Sequence, residues 1–174
     1  MSKHPLLHGV RGERHVLLGN EAIVRGALEA GVHMVTCYPG TPSSEVPDTF
    51  YKLGGEGRYR IEYAVNEKVA FEVAAGAALG GAQALVTMKH VGLNVAADPL
   101  FTSVYTGLPG GLVVLSADDP GCHSSQNEQD NRHYAKLGKF PMLEPCDSQE
   151  CKDFMIEAVD MSERFDTPVV IRTT

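Results

Sequence analysis

Asn66–Val86, NEKVAFEVAAGAALGGAQALV, follows an extended run, Tyr59–Val65 (YRIEYAV), and opens with an acid where the first turn of a helix should be. The helix is built almost wholly of small residues, stops at Gly80-Gly81, and gives way at once to the apolar run Ala84–Met88. Strand, acid-led helix and strand in that order make a parallel βαβ unit. Ligands of open parallel sheets sit at the carboxyl ends of the strands, and Glu67 falls there. It is the first candidate for chemistry.

Similar units lie on both sides. Upstream, the short apolar run His15–Leu18 leads to Gly19-Asn20, an expected N-cap for a helix through Ala30, with Gly31 as the C-terminal stop. Val32–Tyr38 (VHMVTCY) reads as a buried strand. Its exit, Pro39–Ser44 (PGTPSS), is a stiff turn in which Ser43 or Ser44 is expected to cap a helix starting near Glu45. Downstream, Lys89–Asn94 (KHVGLN) reads as a third exit loop, before a helix from about Asn94 to Thr106 that Asp98-Pro99 interrupts. Leu112–Ala117 is another buried strand, left by the polar segment Asp118–Glu128, with His133 and Tyr134 on a helix after it. Phe140–Leu143 is a weak strand. Asp147 or Ser148 caps an amphipathic helix to about Arg164, and Val169–Ile171 is the last strand. The alternation predicts a three-layer, doubly wound α/β sandwich with a mostly parallel sheet of about six strands.

Residues 15–174 form one domain on this reading, and Met1–Arg14, without periodicity, reads as a loose arm. His4, His8 and His15 match no metal-ligand spacing. On the small-residue helix, Ala70, Ala74, Ala77 and Gly81 are expected to share a stripe, beside Gly76 and Gly80, for tight packing on the sheet or close contact with another domain or subunit.

The net charge of −7 over 174 residues, with no basic run, argues against nucleic acid and anionic membranes as partners. No apolar stretch approaches the ~18 residues of a membrane-spanning helix, and the first residues do not resemble a signal peptide, so the cytoplasm is the expected compartment. Four cysteines without CxxC spacing read as reduced structural thiols.

Four segments therefore converge on one sheet edge although they are scattered in sequence: 38–44, Asn66-Glu67, Lys89–Asn94 and Asp118–Gln126. The edge carries no GxGxxG, no GxxxxGK[ST] and no GxSxG. Asp118, Asp119, His123 and His90 have uninformative spacings for a metal site. Glu67 also has a plain structural account, as an acid favourable to the helix dipole by ~0.3–1 kcal/mol.

The ordered set CYPGTPSSE (37–45), YAVNEKVAFEVAAGAALGGA (63–82), LVTMKHVGLNVAADPL (85–100) and ADDPGCHSSQNEQDNR (117–132) resembles the pyrimidine-binding domain of thiamine-diphosphate-dependent 2-oxoacid:ferredoxin oxidoreductases, nearest the α subunits of the indolepyruvate branch. The resemblance covers about Leu17 to Thr174. It implies that Glu67 hydrogen-bonds N1′ of the cofactor's aminopyrimidine and so promotes loss of the thiazolium C2 proton. The cofactor then acts as electron sink for decarboxylation. Electrons leave through iron–sulfur centres to ferredoxin, and the acyl group passes to coenzyme A. A partly desolvated carboxyl suits such proton exchange. The same resemblance implies that Pro39, Gly40, Thr41, Lys89, His90 and Asn94 border the cofactor. Thr41, His90, Asp118 and His123 would face an aryl 2-oxo acid.

The GDG…NN motif with which the family holds Mg²⁺ and the diphosphate is missing, as are its ferredoxin-like cysteine clusters. The expectation is an amino-terminal domain that works with the remaining α-subunit domains and a β subunit, is inactive and binds the cofactor weakly or not at all in isolation, and forms a homodimer. Other 2-oxoacid:ferredoxin oxidoreductases, a non-catalytic interaction module of the same fold, and a nucleotide-binding α/β domain are the rival readings.

Overall fold

Six strands make one sheet: β1 (Met34–Cys37), β2 (Arg60–Tyr63), β3 (Ala84–Lys89), β4 (Leu112–Ala117), β5 (Met142–Leu143) and β6 (Val169–Thr173). The structure is a computed structural model that describes residues 4–7, 9–10, 12–54 and 57–174. Every strand pairing is parallel, and the order is β2-β1-β3-β4-β6-β5. All residues of β4 are buried, and β3 is buried except at Lys89, so these central strands are apolar almost throughout. Edge strand β2, RIEY, is partly exposed.

Side chains alternate between two cores, as the two-residue period of a strand requires. Leu85, Val113, Leu115, Val169 and Ile171 face the layer of α1 (Gly19–Glu29), α2 (Glu45–Leu53) and α6 (Ser148–Phe165). Val86, Met88, Val114 and Val170 face that of α3 (Glu67–Leu79), α4 (His90–Thr106) and α5 (Arg132–Gly138). The three-layer doubly wound sandwich expected from the sequence is the one observed. From β1 the chain steps outward to β2, and from β3 it steps the other way to β4. The order thus reverses between β1 and β3, and open parallel sheets bind ligands at the carboxyl ends of strands at such a point.

Several local expectations need correction. Asn20 does not cap α1: Leu18 holds that position, and its N–H donates to Glu21 Oε2 at 2.9 Å. Asn20 instead donates to the Pro42 carbonyl (3.1 Å) and Glu45 Oε2 (2.8 Å), tying α1 to the turn after β1. Neither serine caps α2 with its side chain; the Ser43 hydroxyl donates to Gly40 O at 2.7 Å and closes that turn. Residues 90–94 are not loop but the start of α4, which runs through Pro99 without a break. Proline leaves the carbonyl four residues earlier without its helical donor, and that residue, Val95, is exposed. On α3 the buried stripe is Ala70, Phe71, Ala74, Ala75 and Ala78, while Ala77 is half-buried and Gly76, Gly80 and Gly81 face outward. The helix turns its small residues toward its own sheet.

Part of the expected loose arm is anchored: Pro5–Leu7 is a 3-10 turn whose Leu6 is buried in the α1 layer, with its carbonyl accepting from Arg25 Nη1 at 2.8 Å. Residues 1–3, 8 and 11 of that arm, His8 among them, lie outside the described residues. All four cysteines are unbridged. No helix among the described residues is long and apolar enough to cross a membrane.

The α1–α6 contact depends on one missing side chain. A Cβ on Gly26 would stand 2.4 Å from Lys152 O and 2.8 Å from Met155 Cβ. Alanine is the better helix former by ~1 kcal/mol, but the clash is with backbone on a packed core helix. Gly26→Ala is expected to destabilise by ~1–3 kcal/mol in urea unfolding. An unchanged midpoint would mean that α1 and α6 reseat freely.

Candidate functional site

Glu67 is the first residue of α3, held there by Asn66, whose Oδ1 accepts from Val69 N at 2.9 Å. The glutamate is only 8% exposed. Its side chain lies against Gly92, in the first turn of α4, so the N-terminal ends of two helices meet at the carboxyl group. Helix amides favour an anion there. Yet Glu67 makes no hydrogen bond or ion pair among the described residues. The adjacent cation does not neutralise it, because Lys68 Nζ reaches Asp98 Oδ2 at 3.0 Å instead. Buried carboxyls are ordinarily partnered.

The carboxyl ends of β1 and β3 are held close together. A Cβ on Gly40 would lie 2.8 Å from Lys89 Cδ, so the turn after β1 and the end of β3 are in contact. Lys89 Nζ continues to Ser124 O at 2.8 Å, in the segment after β4. Pro39 and Thr41 are exposed, Gly40 is half-buried, and the Thr41–Pro42 peptide is cis.

The segment between β4 and α5 is fastened to α4. His90 is fully buried; its Nε2–H donates to Asn127 O at 2.9 Å, and its Nδ1 has no partner among the described residues. The His90 carbonyl accepts from Gln129 Nε2 and Asn131 Nδ2, both at 3.1 Å. Asn94, one turn further on, exchanges hydrogen bonds with Gln129 at 2.9 Å and accepts from the Tyr134 hydroxyl. Asp119 gathers the tip, accepting from Ser124 N and Ser125 Oγ at 2.7 Å each and from His123 N at 3.3 Å. These three donors hold the Asp119 carboxyl below its ordinary range.

Asp118 is 2% exposed and receives Arg172 Nε at 2.7 Å; Arg172 also binds Glu144. Burial pushes the Asp118 carboxyl above its ordinary range, against the opposing pull of the guanidinium. His90 and Asp118, two residues expected on the substrate side, are closed off from solvent and hold the segment in place. Of the expected substrate-side residues, Thr41 and His123 are the exposed pair.

Two further residues were not singled out from the sequence. Gly92 signals a close approach, being a glycine inside a helix that no turn requires. Arg172 is a lone charge ending the apolar run VVIRT. A pocket of about 570 Å³ lies elsewhere, between the N-terminal segment and the α1–α6 pair, and its Arg25, Glu29 and Lys152 are already paired with one another.

The chain is 54% identical to the indolepyruvate oxidoreductase subunit IorA of Archaeoglobus fulgidus over 172 residues, covering 97% of this chain and 28% of that protein. It is 27% identical to the 2-oxoglutarate synthase subunit KorA of Methanothermobacter marburgensis, over 91% of this chain and 44% of that one. The chain thus spans less than half the length of either relative. A solved 2-oxoglutarate:ferredoxin oxidoreductase from Magnetococcus marinus superposes with a TM-score of 0.79 at 20% identity, over 90% of this chain and 28% of its own, which establishes the shared fold. The model of the pyruvate flavodoxin/ferredoxin oxidoreductase thiamine-diphosphate-binding domain matches residues 25–173, and the chain belongs to that family.

Proposed function

We propose that the chain is the pyrimidine-binding domain of an indolepyruvate-type 2-oxoacid:ferredoxin oxidoreductase, working within a longer α subunit and beside a β subunit. Glu67 carries the reading: a buried, unpartnered carboxyl at the edge where the strand order reverses. Its surroundings fit an aminopyrimidine, which needs an acceptor for a weakly basic ring nitrogen in a place sheltered from water. They do not fit the diphosphate end, since no group of three or more His, Cys, Asp or Glu side chains that could hold a metal occurs among the described residues. We assign Mg²⁺, the diphosphate and the iron–sulfur clusters to the rest of the enzyme.

Thiamine diphosphate, when bound, supplies a nucleophilic carbon and an electron sink for decarboxylating a 2-oxo acid. This chain's own contribution is narrower. Glu67 holds or releases a proton at the pyrimidine N1′. Pro39, Gly40, Lys89 and Asn94 border the cofactor, and Thr41 and His123 stand on the substrate side. The products are an acyl-coenzyme A and reduced ferredoxin, made in the cytoplasm.

An aryl substrate is supported by likeness, since identity to the indolepyruvate oxidoreductase subunit is twice that to the 2-oxoglutarate synthase subunit. The test is ferredoxin reduction by the assembled enzyme with a panel of 2-oxo acids. Indolepyruvate and phenylpyruvate are expected to exceed pyruvate, 2-oxoglutarate and branched-chain acids in kcat/KM by roughly tenfold or more. A preference for any of the latter would reassign the substrate. An assembled enzyme that binds no thiamine diphosphate would leave only the non-catalytic interaction module.

A further inference from the structure

We infer that Gly92 is a positioning residue for Glu67: its missing side chain sets where the carboxyl stands. The inference deepens the reading of Glu67 and rests on it. A Cβ at position 92 would lie 2.6 Å from both Glu67 Cγ and Oε1 and 2.9 Å from Cδ. Three such contacts on one side chain are incompatible with its present conformation.

No backbone requirement explains the glycine. Position 92 lies inside α4, and its φ is outside the positive range that favours glycine. Glycine is a poor helix residue, so what the position gains is space.

The way a clash would resolve follows from what holds each partner. α4 is fixed on several sides: Leu93, Ala96 and Leu100 are fully buried, and His90 is tied to Asn127, Gln129 and Asn131. Lys68 and Asp98 join α3 to α4. Glu67 has nothing holding its carboxyl among the described residues. An added methyl therefore turns the glutamate side chain away and leaves the helix where it is.

Misplacing a reacting group by about 1 Å can cost 10²-fold in rate. In the assembled enzyme, Gly92→Ala is expected to slow hydrogen–deuterium exchange at C2 of bound thiamine diphosphate by ~10²-fold. Affinity for the cofactor should change much less, a split that a merely structural defect would not produce. In a crystal structure of the variant chain, the Glu67 carboxyl should be displaced while the α4 backbone stays in place. If Gly92→Ala lowers the melting temperature, adding Glu67→Ala should restore it, because the three atoms nearest the added methyl all belong to that side chain.

Glu67→Gln serves as the control. Exchange lost in Glu67→Gln but kept in Gly92→Ala overturns the positioning role and leaves the glutamate's role standing. Exchange kept in Glu67→Gln overturns both. A displaced α4 with the carboxyl unmoved, or a stability loss that persists in the double variant, also overturns the inference.

Discussion

Glu67→Gln is expected to leave the chain folded and to slow C2 proton exchange of bound thiamine diphosphate in the assembled enzyme by about 10²–10⁴-fold. The substitution keeps shape and removes charge. Glutamine retains the packing against Gly92 and the place at the head of α3. What it lacks is an oxygen that exchanges a proton with a ring nitrogen. Two effects on stability oppose each other. Losing an acid from a first helical turn costs ~0.3–1 kcal/mol, whereas removing a largely buried carboxylate with no partner relieves an uncompensated charge. The melting temperature should therefore stay close to wild type while exchange collapses. Quenched-flow exchange followed by NMR, with circular dichroism melting on the same samples, reads both quantities. Wild-type exchange in the variant would reduce Glu67 to an acid that complements a helix dipole.

What was legible in the sequence is what short-range patterns encode. The apolar runs give the six strands, and the acid-led, small-residue helix between two of them identifies the parallel unit. The convergence of 38–44, Asn66-Glu67, Lys89–Asn94 and Asp118–Gln126 then follows from strand direction alone. The errors share a different origin. Asn20 has the chemistry of a cap, but its side chain goes to Pro42 and Glu45, more than twenty residues away in sequence. Ser43 is likewise drawn to Gly40. The start of α4 was misplaced because Lys89, its N-cap, makes no side-chain capping bond, so no local signal marks the boundary. The roles of Gly92 and Arg172 are relations between a residue and a distant partner. One is a space filled by Glu67 and the other a charge answered by Asp118. Neither leaves a periodic trace.

Arg172→Met is expected to destabilise the fold by ~3–5 kcal/mol, because it strands one member of a buried ion pair. The two side chains are 11% and 3% exposed, and the Nε–Oδ2 distance is 2.7 Å. The second partner, Glu144, is 41% exposed and matters less. Without the guanidinium, the Asp118 charge faces burial with Asp118 Oδ1 already lacking a partner among the described residues. The pH dependence gives the prediction its sign. Burial holds the folded carboxyl of Asp118 above its ordinary value of 3.8 even in the wild type. The folded state then binds that proton more tightly than the unfolded chain does. Its contribution is most favourable below the unfolded value and is lost as pH rises through the folded one. Removing Arg172 takes away a lowering influence and pushes the folded value further up. The deficit of Arg172→Met relative to wild type should therefore be full at neutral pH and shrink as pH falls toward 4. The lowered carboxyls, such as Asp130, held at about 2 chiefly by the Arg132 side chain, lose their contributions at still lower pH. Adding Asp118→Asn to Arg172→Met should recover much of the loss at neutral pH, since the stranded charge is gone. Urea unfolding of wild type and the two variants from pH 4 to 7 measures each of these differences. A deficit below about 1 kcal/mol would mean that the pair behaves like a solvated surface bridge. A deficit independent of pH would place the cost in lost packing of the arginine side chain. Because Asp118 begins the segment that ties Ser124 to Lys89 and Asn127 to His90, loosening it should also raise amide exchange at Ser124, whose N–H donates to Asp119.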